Sequence, residues 1–377
     1  MARLVDAPRA LLGGLDVLLV ALRDLRHARG RFALISTVVV LVTVLVVFLS
    51  SLTAGLARAS VSALTDLPAD RVAFGMASSA DKPDLTSSRV TQDQWQAWSR
   101  QPGVREAEPL GVVTTRATSA GTTIAVTAFG VGTGSTLTPG GGPRDGQVVL
   151  TERGAADLHV GVGDTFALDG AELVVARVVP EDLQLSHIPV VWTSLRDWQG
   201  VGARGAAAGA PVATVVALRT DGGVDVASVD DELATTTVTT REARSAVASF
   251  TAENLSLTTM QAFLVVISAL VVGAFFTVWT ISRQGDVAVL KALGASTRYL
   301  LRDAMGQASL VLLAAVAAGV GVAAAAGTAL AGLLPVEVSA STTLLPAASL
   351  VVLGLLGAAA AVARVSRTDP HAALAAR

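Results

Sequence analysis

The residues best suited to acid chemistry do not form a catalytic set. Gly161-Val162-Gly163-Asp164 places a carboxylate after two glycines. Proteolysis by paired carboxylates needs two acids in one buried site, one of them protonated. Because Asp164 precedes a predicted hairpin and no predicted membrane span contains an acid, the pattern favours a glycine turn that enters a strand.

A glycine-rich segment, GVGTGSTLTPGGG, does not satisfy the pattern of a nucleotide site either. It lacks the Lys-Ser/Thr ending with which a phosphate-binding loop holds phosphate and Mg²⁺. No Walker A pattern occurs in the chain. We therefore predict a flexible loop here, no catalytic residue, and no ATP hydrolysis by this chain.

Metal-binding residue types are sparse. The absence of cysteine excludes disulfides, thiolate metal sites and cysteine nucleophiles. The histidines are far apart in the chain, so their spacing predicts neither a metal site nor a Ser-His-Asp arrangement. We interpret each as a solvated surface residue: His27, His159, His187 and His371.

Hydropathy predicts a membrane protein. Apolar residues make up 52% of the chain, which is high for a soluble protein. A helix needs about 20 mostly apolar residues to cross a bilayer. Four uncharged stretches meet this requirement, with a short external loop predicted at 337–345: 32–57, 255–282, 304–336 and 346–363.

The charge distribution orients these spans. Basic residues exceed acidic ones in segments 1–31, 283–303 and 364–377, whereas acids exceed bases in 58–254. Positive segments stay in the cytoplasm. Both termini and loop 283–303 are therefore predicted inside, and 58–254 outside. The absence of charge within the spans argues against an ion or proton path.

Residues 1–31 are predicted to form an amphipathic helix on the inner membrane surface. Leucines recur there at helical spacing. An ordinary packed helix fits the same pattern. The leucines are Leu11, Leu15, Leu18, Leu22 and Leu25.

The outer region 58–254 mixes strand and helix patterns, which indicates an α+β domain. Hairpins are predicted around Ser119-Ala120-Gly121 and Asp169-Gly170. PVVWTS and VATVVALR are typical of strands. TQDQWQAWSRQPGV and VDVASVDDELATTT are typical of helices, the first with Thr91 or Asp93 as its cap.

Small residues predict how the spans pack. The third span carries them at four-residue spacing, which permits close approach of helices, and the fourth is rich in glycine and alanine. We expect these two spans to pack together. The small residues are Gly319, Ala323, Gly327 and Ala331 in the third span, and Gly354 and Gly357–Ala360 in the fourth.

The loop GDVAVLKALGASTRYLLRD predicts two short helices. Asp286 suits a helix N-terminus, Gly294 suits a stop, and Ser296 suits the cap of the helix that follows. Val287, Leu290 and Leu293 form an apolar stripe. Because so short a helix is unstable alone, it must pack on something. A simple turn on the lipid surface is the alternative.

The stretch RQGDVAVLKALGASTRYLLRDAMGQASLVLL resembles the corresponding loop of MacB/FtsX-type ABC transporter permeases. The tail ARVSRTDPHAAL and the outer phrase HVGVGDTFALDGAELVVARVVPE are also similar to that family, as is the order of span, large domain and three spans. Asp286 stands where the family often has glutamate.

The resemblance implies that the loop is a coupling helix that docks in a groove of a separate ATP-binding subunit, where ATP and Mg are bound. It also implies a homodimer, with spans one and two at the interface. The coupling residues on this interpretation are Asp286, Val287, Leu290, Lys291, Leu293, Gly294 and Arg298.

Within the family, the layout looks like the DevC and HrtB-like haem-exporter branch, and the segments around the first span look like those of actinobacterial members. This implies a plasma-membrane efflux permease for a hydrophobic or amphiphilic substrate, with haem as the first expectation. The residues expected on the substrate path are Phe48, Glu253, Met260 and Phe263. Packing or interfacial roles for Glu253 and Met260 are the alternative.

A second function from another class is an FtsX-like transmitter that regulates a cell-wall hydrolase without transport. Its outer domain would be a docking platform. FtsX relatives usually have a smaller outer domain than residues 58–254, which favours the exporter.

Overall fold

The computed structural model describes residues 29–75, 82–202, 212–282 and 296–366, together with 285, 289, 293 and 294. The chain divides into two compact units: 56–255, and the combination of 1–55 with 256–377. The predicted amphipathic helix covers residues 1–31, and residues 1–28 of it lie outside the described residues.

Eight α-helices are seen in the described residues. The bounds are α1 Arg29–Thr65, α2 Gln92–Ser99, α3 Glu152–Leu158, α4 Leu195–Gly202, α5 Val226–Leu233, α6 Ala248–Ser282, α7 Thr297–Leu330 and α8 Ala340–Ser366. A 3₁₀ turn at Glu242–Ala246 precedes α6.

Ten strands accompany them in the described part of the chain. Their bounds are β1 Arg71–Gly75, β2 Val104–Ser119, β3 Thr122–Val131, β4 Gln147–Thr151, β5 Thr165–Leu168, β6 Ala171–Val179, β7 Gln184–Leu185, β8 Ile188–Ser194, β9 Val215–Thr220 and β10 Thr235–Thr239.

Four of the helices are long and apolar enough to cross a membrane, as predicted: α1, α6, α7 and α8. Most of the helix bounds differ from those of the predicted spans by several residues, and two of these differences have a local cause. Helix α1 continues past 57 to Thr65, because Val61 and Leu64 are buried in the outer domain and favour further helix. Helix α7 stops at Leu330, before a non-helical stretch that contains Pro335, since proline does not continue a helix.

Glycines allow close helix contacts within the membrane unit. A Cβ on Gly319 of α7 would lie 2.6 Å from Thr43 Cβ of α1. A Cβ on Gly357 of α8 would lie 2.9 Å from the Cα of Gly273 in α6. The expected pairing of spans three and four through their small residues was therefore incomplete: α7 and α8 do pack, but Gly319 faces α1 and Gly357 faces α6.

The turn between α7 and α8 lies against α1. The Glu337 N–H donates to the Ser51 carbonyl at 3.0 Å. A Cβ on Gly55 would lie 1.8 Å from the Pro335 carbonyl oxygen. Only glycine leaves room for this contact.

The sheet of the outer unit has two parts. Strands β10, β1, β9 and the first half of β2 form an antiparallel layer, covered by α2 and α5 around the buried Trp98. The second half of β2 continues through β3, β8, β4, β6 and β5. Because β5 pairs back with β2, these six strands close into a ring.

The predicted hairpins and the predicted helix cap of this domain were confirmed. Both predicted hairpins form, β2–β3 and β5–β6. The Thr91 hydroxyl caps α2, and its backbone N–H donates to Gln94 in a reciprocal capping box. The glycine-rich loop after β3 is held by Arg177, whose Nη2 donates to the carbonyls of Pro139 and Gly141 at 2.8 and 2.7 Å.

Candidate functional site

The inner loop is described only in part. Gly294 has φ +92°, which suits the predicted helix stop. The Ser296 hydroxyl accepts from the Tyr299 N–H at 3.2 Å, so the predicted cap of α7 is present. Asp286, Val287, Leu290 and Lys291 lie outside the described residues, as does the side chain of Arg298.

An exposed apolar pair is visible in this loop. Leu293 is 79% exposed and Val289 60% exposed. The Leu293 N–H donates to the Val289 carbonyl at 3.0 Å, so one turn of helix separates them. Val289 was not part of the predicted stripe. Large apolar side chains exposed on a charged loop are typical of a contact surface.

At the outer ends of α1 and α6, three polar side chains meet. His187 Nε2 lies 2.8 Å from Glu253 Oε2 and 2.9 Å from Ser60 Oγ. The Ser60 hydroxyl also lies 3.2 Å from Glu253 Oε2 and donates to it. The side chains of His187 and Glu253 are 35% and 44% exposed. A ligand in solvent can therefore reach this cluster.

The His187 ring is positioned by a tight turn. Ser186 and His187 join β7 to β8 with φ +53° and +64°. Two positive φ values fit a type I′ turn, which normally uses Asn-Gly. The strain of non-glycine residues there needs support from the surroundings. The N–H groups of both residues supply it by donating to the Ser60 and Ala59 carbonyls of α1 at 2.9 and 3.1 Å.

The same hairpin touches both long helices. The Ser62 hydroxyl of α1 accepts from the Gln184 N–H at 2.9 Å. The Ser186 hydroxyl lies 2.9 Å from that of Ser249 in α6. The hairpin thus joins the outer ends of α1 and α6.

This cluster is not arranged for nucleophilic catalysis. In a Ser-His-acid relay the acid holds one ring nitrogen and the serine the other. Here Ser60 and Glu253 both reach Nε2 of His187. The arrangement suits a polar link between helices, or a ligand site that offers a nitrogen and a carboxylate.

The interpretation of His187 as a solvated surface residue was wrong. Its side chain is only 35% exposed, and Nε2 lies within hydrogen-bond distance of both the Ser60 hydroxyl and the Glu253 carboxylate. Ser60, His187 and Glu253 lie far apart in the chain, so no local spacing predicts their meeting.

Of the four residues expected on a substrate path, the structure brings Glu253 to His187. The other three belong to the membrane unit: Phe48 is half-buried, and Met260 and Phe263 are 59% and 66% exposed. Within that unit, the Gln261 side-chain amide donates to the Ser50 hydroxyl and links α6 to α1.

A second acidic group of the outer domain, Glu106, lies in the sheet and pairs with Arg219 of the neighbouring strand. Burial raises the pKa of Glu106, and the neighbouring Glu108 raises it further, while Arg219 opposes the rise. Arg219 Nη1 donates to Glu106 at 3.2 Å, and its Nε donates to the Pro68 carbonyl at 2.7 Å. This network fixes β2 and β9 to the end of α1.

Four spanning helices with one α+β domain after the first define a multi-pass membrane protein with a large outer domain. A family model described as "MacB-like periplasmic core domain" matches residues 32–236. Another, "FtsX-like permease C-terminal", matches 259–370. The chain therefore belongs to the MacB/FtsX-type ABC transporter permeases and is a plasma-membrane protein whose large domain is extracellular.

Curated relatives align along nearly the full length. A putative hemin transport system permease protein HrtB of Staphylococcus haemolyticus is 25% identical over 94% of this chain and 98% of its own. An ABC transporter permease of Mycobacterium tuberculosis is 28% identical over the same shares.

Two solved structures resemble the outer domain. The extracellular domain of YknZ, a noncanonic ABC-type transporter from Gram-positive bacteria, has TM-score 0.34 and 14% identity, covering 45% of this chain and 97% of its own. The periplasmic region of MacB from Actinobacillus actinomycetemcomitans has TM-score 0.34 and 12% identity, covering 48% and 93%.

Proposed function

We propose that this chain is the permease subunit of an ABC efflux system that uses ATP hydrolysis in a separate subunit to expel an amphiphilic substrate. The observation that carries the proposal is the pair of long helices at the boundary of the outer domain. Helices α1 and α6 each continue from an apolar span into that domain without a break. On this proposal, a displacement of their inner ends is passed on to the outer domain.

Polar links support joint movement of these helices. Ser50 and Gln261 connect them in the membrane unit. Ser60 and Glu253 connect them in the outer unit, and His187 lies within hydrogen-bond distance of both side chains. On this proposal two copies of the chain assemble, both termini lie in the cytoplasm, and the two α1–α6 pairs approach each other when the partner subunits close on ATP.

The inner loop is the proposed contact with the ATP-binding subunit. The exposed side chains of Val289 and Leu293 support this, because apolar groups on a short helix need a covering partner. The proposed coupling residues are Asp286, Val287, Leu290, Lys291, Leu293, Gly294 and Arg298.

Haem is the proposed substrate. The name of the staphylococcal relative supports it, and so does the cluster around Glu253. The spans contain no histidine, but His187 offers an imidazole nitrogen 2.8 Å from that carboxylate. Imidazole is a common axial ligand of haem iron.

Coupling is tested by replacing Leu290 with Asp. The chain and the ATP-binding subunit that the proposal requires are co-expressed, purified and reconstituted in vesicles. Leu290→Asp should abolish co-purification and ATP hydrolysis while membrane insertion persists, because a carboxylate in an apolar groove loses hydration. The matched control is Leu333→Asp, which changes an 81% exposed leucine in the turn between α7 and α8.

Unchanged pull-down of Leu290→Asp would contradict docking through this loop. ATP hydrolysis by the purified chain alone would contradict the need for a partner. Co-purification with a peptidoglycan hydrolase, with no transport in vesicles, would replace efflux by signal transmission.

The substrate is tested by hemin titration and hemin efflux. Wild-type protein should shift the Soret band of hemin, and Glu253→Gln and His187→Asn should each weaken that shift. A control substitution, His159→Asn, changes an exposed histidine that also has positive φ. ATP-dependent efflux of another substrate, with no response to hemin, would exclude haem as the substrate but would still support the permease function.

A further inference from the structure

The antiparallel layer of the outer domain ends at β10. This strand pairs with β1 on one side, and no described strand pairs with it on the other side. An unpaired edge presents a row of backbone N–H and C=O groups, which a strand of another chain can join. Folded proteins therefore carry some device that keeps such an edge closed.

The residues of β10 provide no such protection themselves. The strand reads TTTVT and contains neither a charge nor a proline, and threonine and valine favour strands. Uncharged runs with high strand propensity are typical of segments that pair with copies of themselves. Protection of this edge must therefore come from neighbouring elements.

Two carboxylates occupy outward N–H groups of β10. The Thr237 N–H donates to Asp230 Oδ2 at 2.8 Å, and the Thr239 N–H donates to Glu242 Oε2 at 3.1 Å. Because successive N–H groups of a strand point to opposite edges, donors two residues apart belong to the same edge. The acceptors lie on α5 and on the 3₁₀ turn, so this is the edge that faces away from β1.

Further hydrogen bonds hold both carboxylates in place. Asp230 Oδ1 accepts from the hydroxyls of Thr235 and Thr237, each at 2.7 Å. Glu242 Oε2 also accepts from the Thr239 hydroxyl at 2.8 Å, and this hydroxyl accepts from the Glu242 N–H at 3.2 Å. The bonds from the Thr239 N–H and hydroxyl lower the pKa of Glu242, so its carboxylate remains an acceptor at neutral pH.

We infer that Asp230 and Glu242 close this edge to strand addition, and that the chain they exclude is a second copy that would join through its own β10. An incoming strand needs the two outward N–H groups as donors, and both are taken. Two copies paired in this way would also bring like charges together, which opposes pairing. The inference does not rest on the proposed function, because it applies equally to an exporter and to a signal transmitter.

The test compares full-length variants in detergent over a range of protein concentrations, with the protein mass per particle measured by light scattering. Asp230→Ala with Glu242→Ala frees both N–H groups. Its mass should rise with concentration to about twofold that of wild type, because a two-fold symmetric contact closes at a pair. The matched control is Asp231→Ala with Glu232→Ala, which removes two exposed acids of α5 and should keep the wild-type mass.

Two further variants separate edge pairing from other causes of association. Thr237→Pro, added to the double alanine variant, removes one outward N–H but no bond to β1. Proline is tolerated on edge strands, so this variant should return to the wild-type mass. Asp230→Asn with Glu242→Gln keeps an acceptor for each N–H and should also stay at the wild-type mass.

Amide hydrogen exchange of β10 gives a second measurement. In the double alanine variant, exchange at Thr237 and Thr239 should be faster than in wild type in dilute samples, and should slow several-fold as the particles pair. Association with fast exchange in β1 and β9 as well would overturn the inference, because the variant would then associate by unfolding.

Four other results would overturn the inference. They are a wild-type mass of the double alanine variant at every concentration, equal association of the Asp231/Glu232 control, association that persists with Thr237→Pro, and association of the Asn/Gln variant.

Discussion

The outer domain builds its cores from fully buried large side chains, whereas the membrane unit adds close glycine contacts between helices to a core that includes Phe276 and Leu312. Trp98, Trp192 and Phe74 are at most 1% exposed in the outer domain. In the membrane unit, Gly319 meets Thr43 and Gly357 meets Gly273. The difference follows from the solvent. Burying apolar surface is favourable in water, but lipid is itself apolar, so spans associate by close approach of small residues.

The largest effect should come from Trp98 in the outer core. Trp98→Ala should lower the free energy of unfolding of this domain by about 3–5 kcal/mol. Trp98→Phe keeps most of the ring area and should cost less, losing mainly the hydrogen bond to Thr235. Hydrogen exchange of the outer domain measures both. Equal protection in Trp98→Ala and wild type would show that large side chains do not dominate this core.

The opposite substitution tests the membrane unit. Gly319→Leu should destabilise the helix bundle by about 1–3 kcal/mol because the added side chain overlaps Thr43. Gly321→Leu, two residues away with open space around it, is the matched control. The measurement is the fraction that stays monodisperse after heating in detergent. If both variants lost a similar fraction of monodisperse protein, the close contact at Gly319 would not be what stabilises the bundle.

A smaller effect is expected for the polar link between His187 and Glu253 in the outer domain. His187→Asn and Glu253→Gln should show a coupling energy of about 0.5–1 kcal/mol in a double-mutant cycle, measured by thermal unfolding. Asparagine tolerates the positive φ of His187. His159→Asn combined with Glu253→Gln should be additive. If the effects of His187→Asn and Glu253→Gln on stability were additive, the two side chains would not be energetically coupled.

The smallest effects should be the pH dependences of two glutamates in the outer domain. Hydrogen bonds from the Thr239 N–H and hydroxyl lower the pKa of Glu242. Its stabilisation is present above the unfolded-state pKa and is lost as pH falls through the folded one. Glu242→Gln should therefore lose more stability at neutral than at acidic pH.

Glu106 should behave in the opposite way. Burial raises its pKa, so its contribution is fully present below the unfolded-state pKa and is lost as pH rises through the folded value. Relative to wild type, Glu106→Gln should become more stable as pH rises. Thermal unfolding from acidic to neutral pH compares the two variants. Slopes of the same sign would refute this assignment.

Features set by neighbouring residues could be predicted from the sequence. Asp169-Gly170 specifies its hairpin and Thr91 its cap because each acts within a few residues. The spans follow from uninterrupted apolar runs. Ring closure through β2 and β5 could not be predicted, since the paired residues lie about 50 positions apart in sequence.

The same limit applies to the candidate site. The four-residue spacing around Gly319 predicts close packing but not that α1 is its partner. Glu253 could be singled out by its position at the end of a span. His187 could not, because only the Ser186-His187 turn and its bonds to α1 bring the ring to that carboxylate.

The contact between Gly55 and Pro335 has a consequence for biosynthesis. Gly55 leaves the ribosome early, and the carbonyl that covers it is made only after three of the four spans have been translated. Until then, the first span is held by its own hydropathy and by its contacts with α6 and α7. The contact between the Pro335 turn and α1 can therefore form only late in synthesis. A chain truncated before residue 335 would lack this contact.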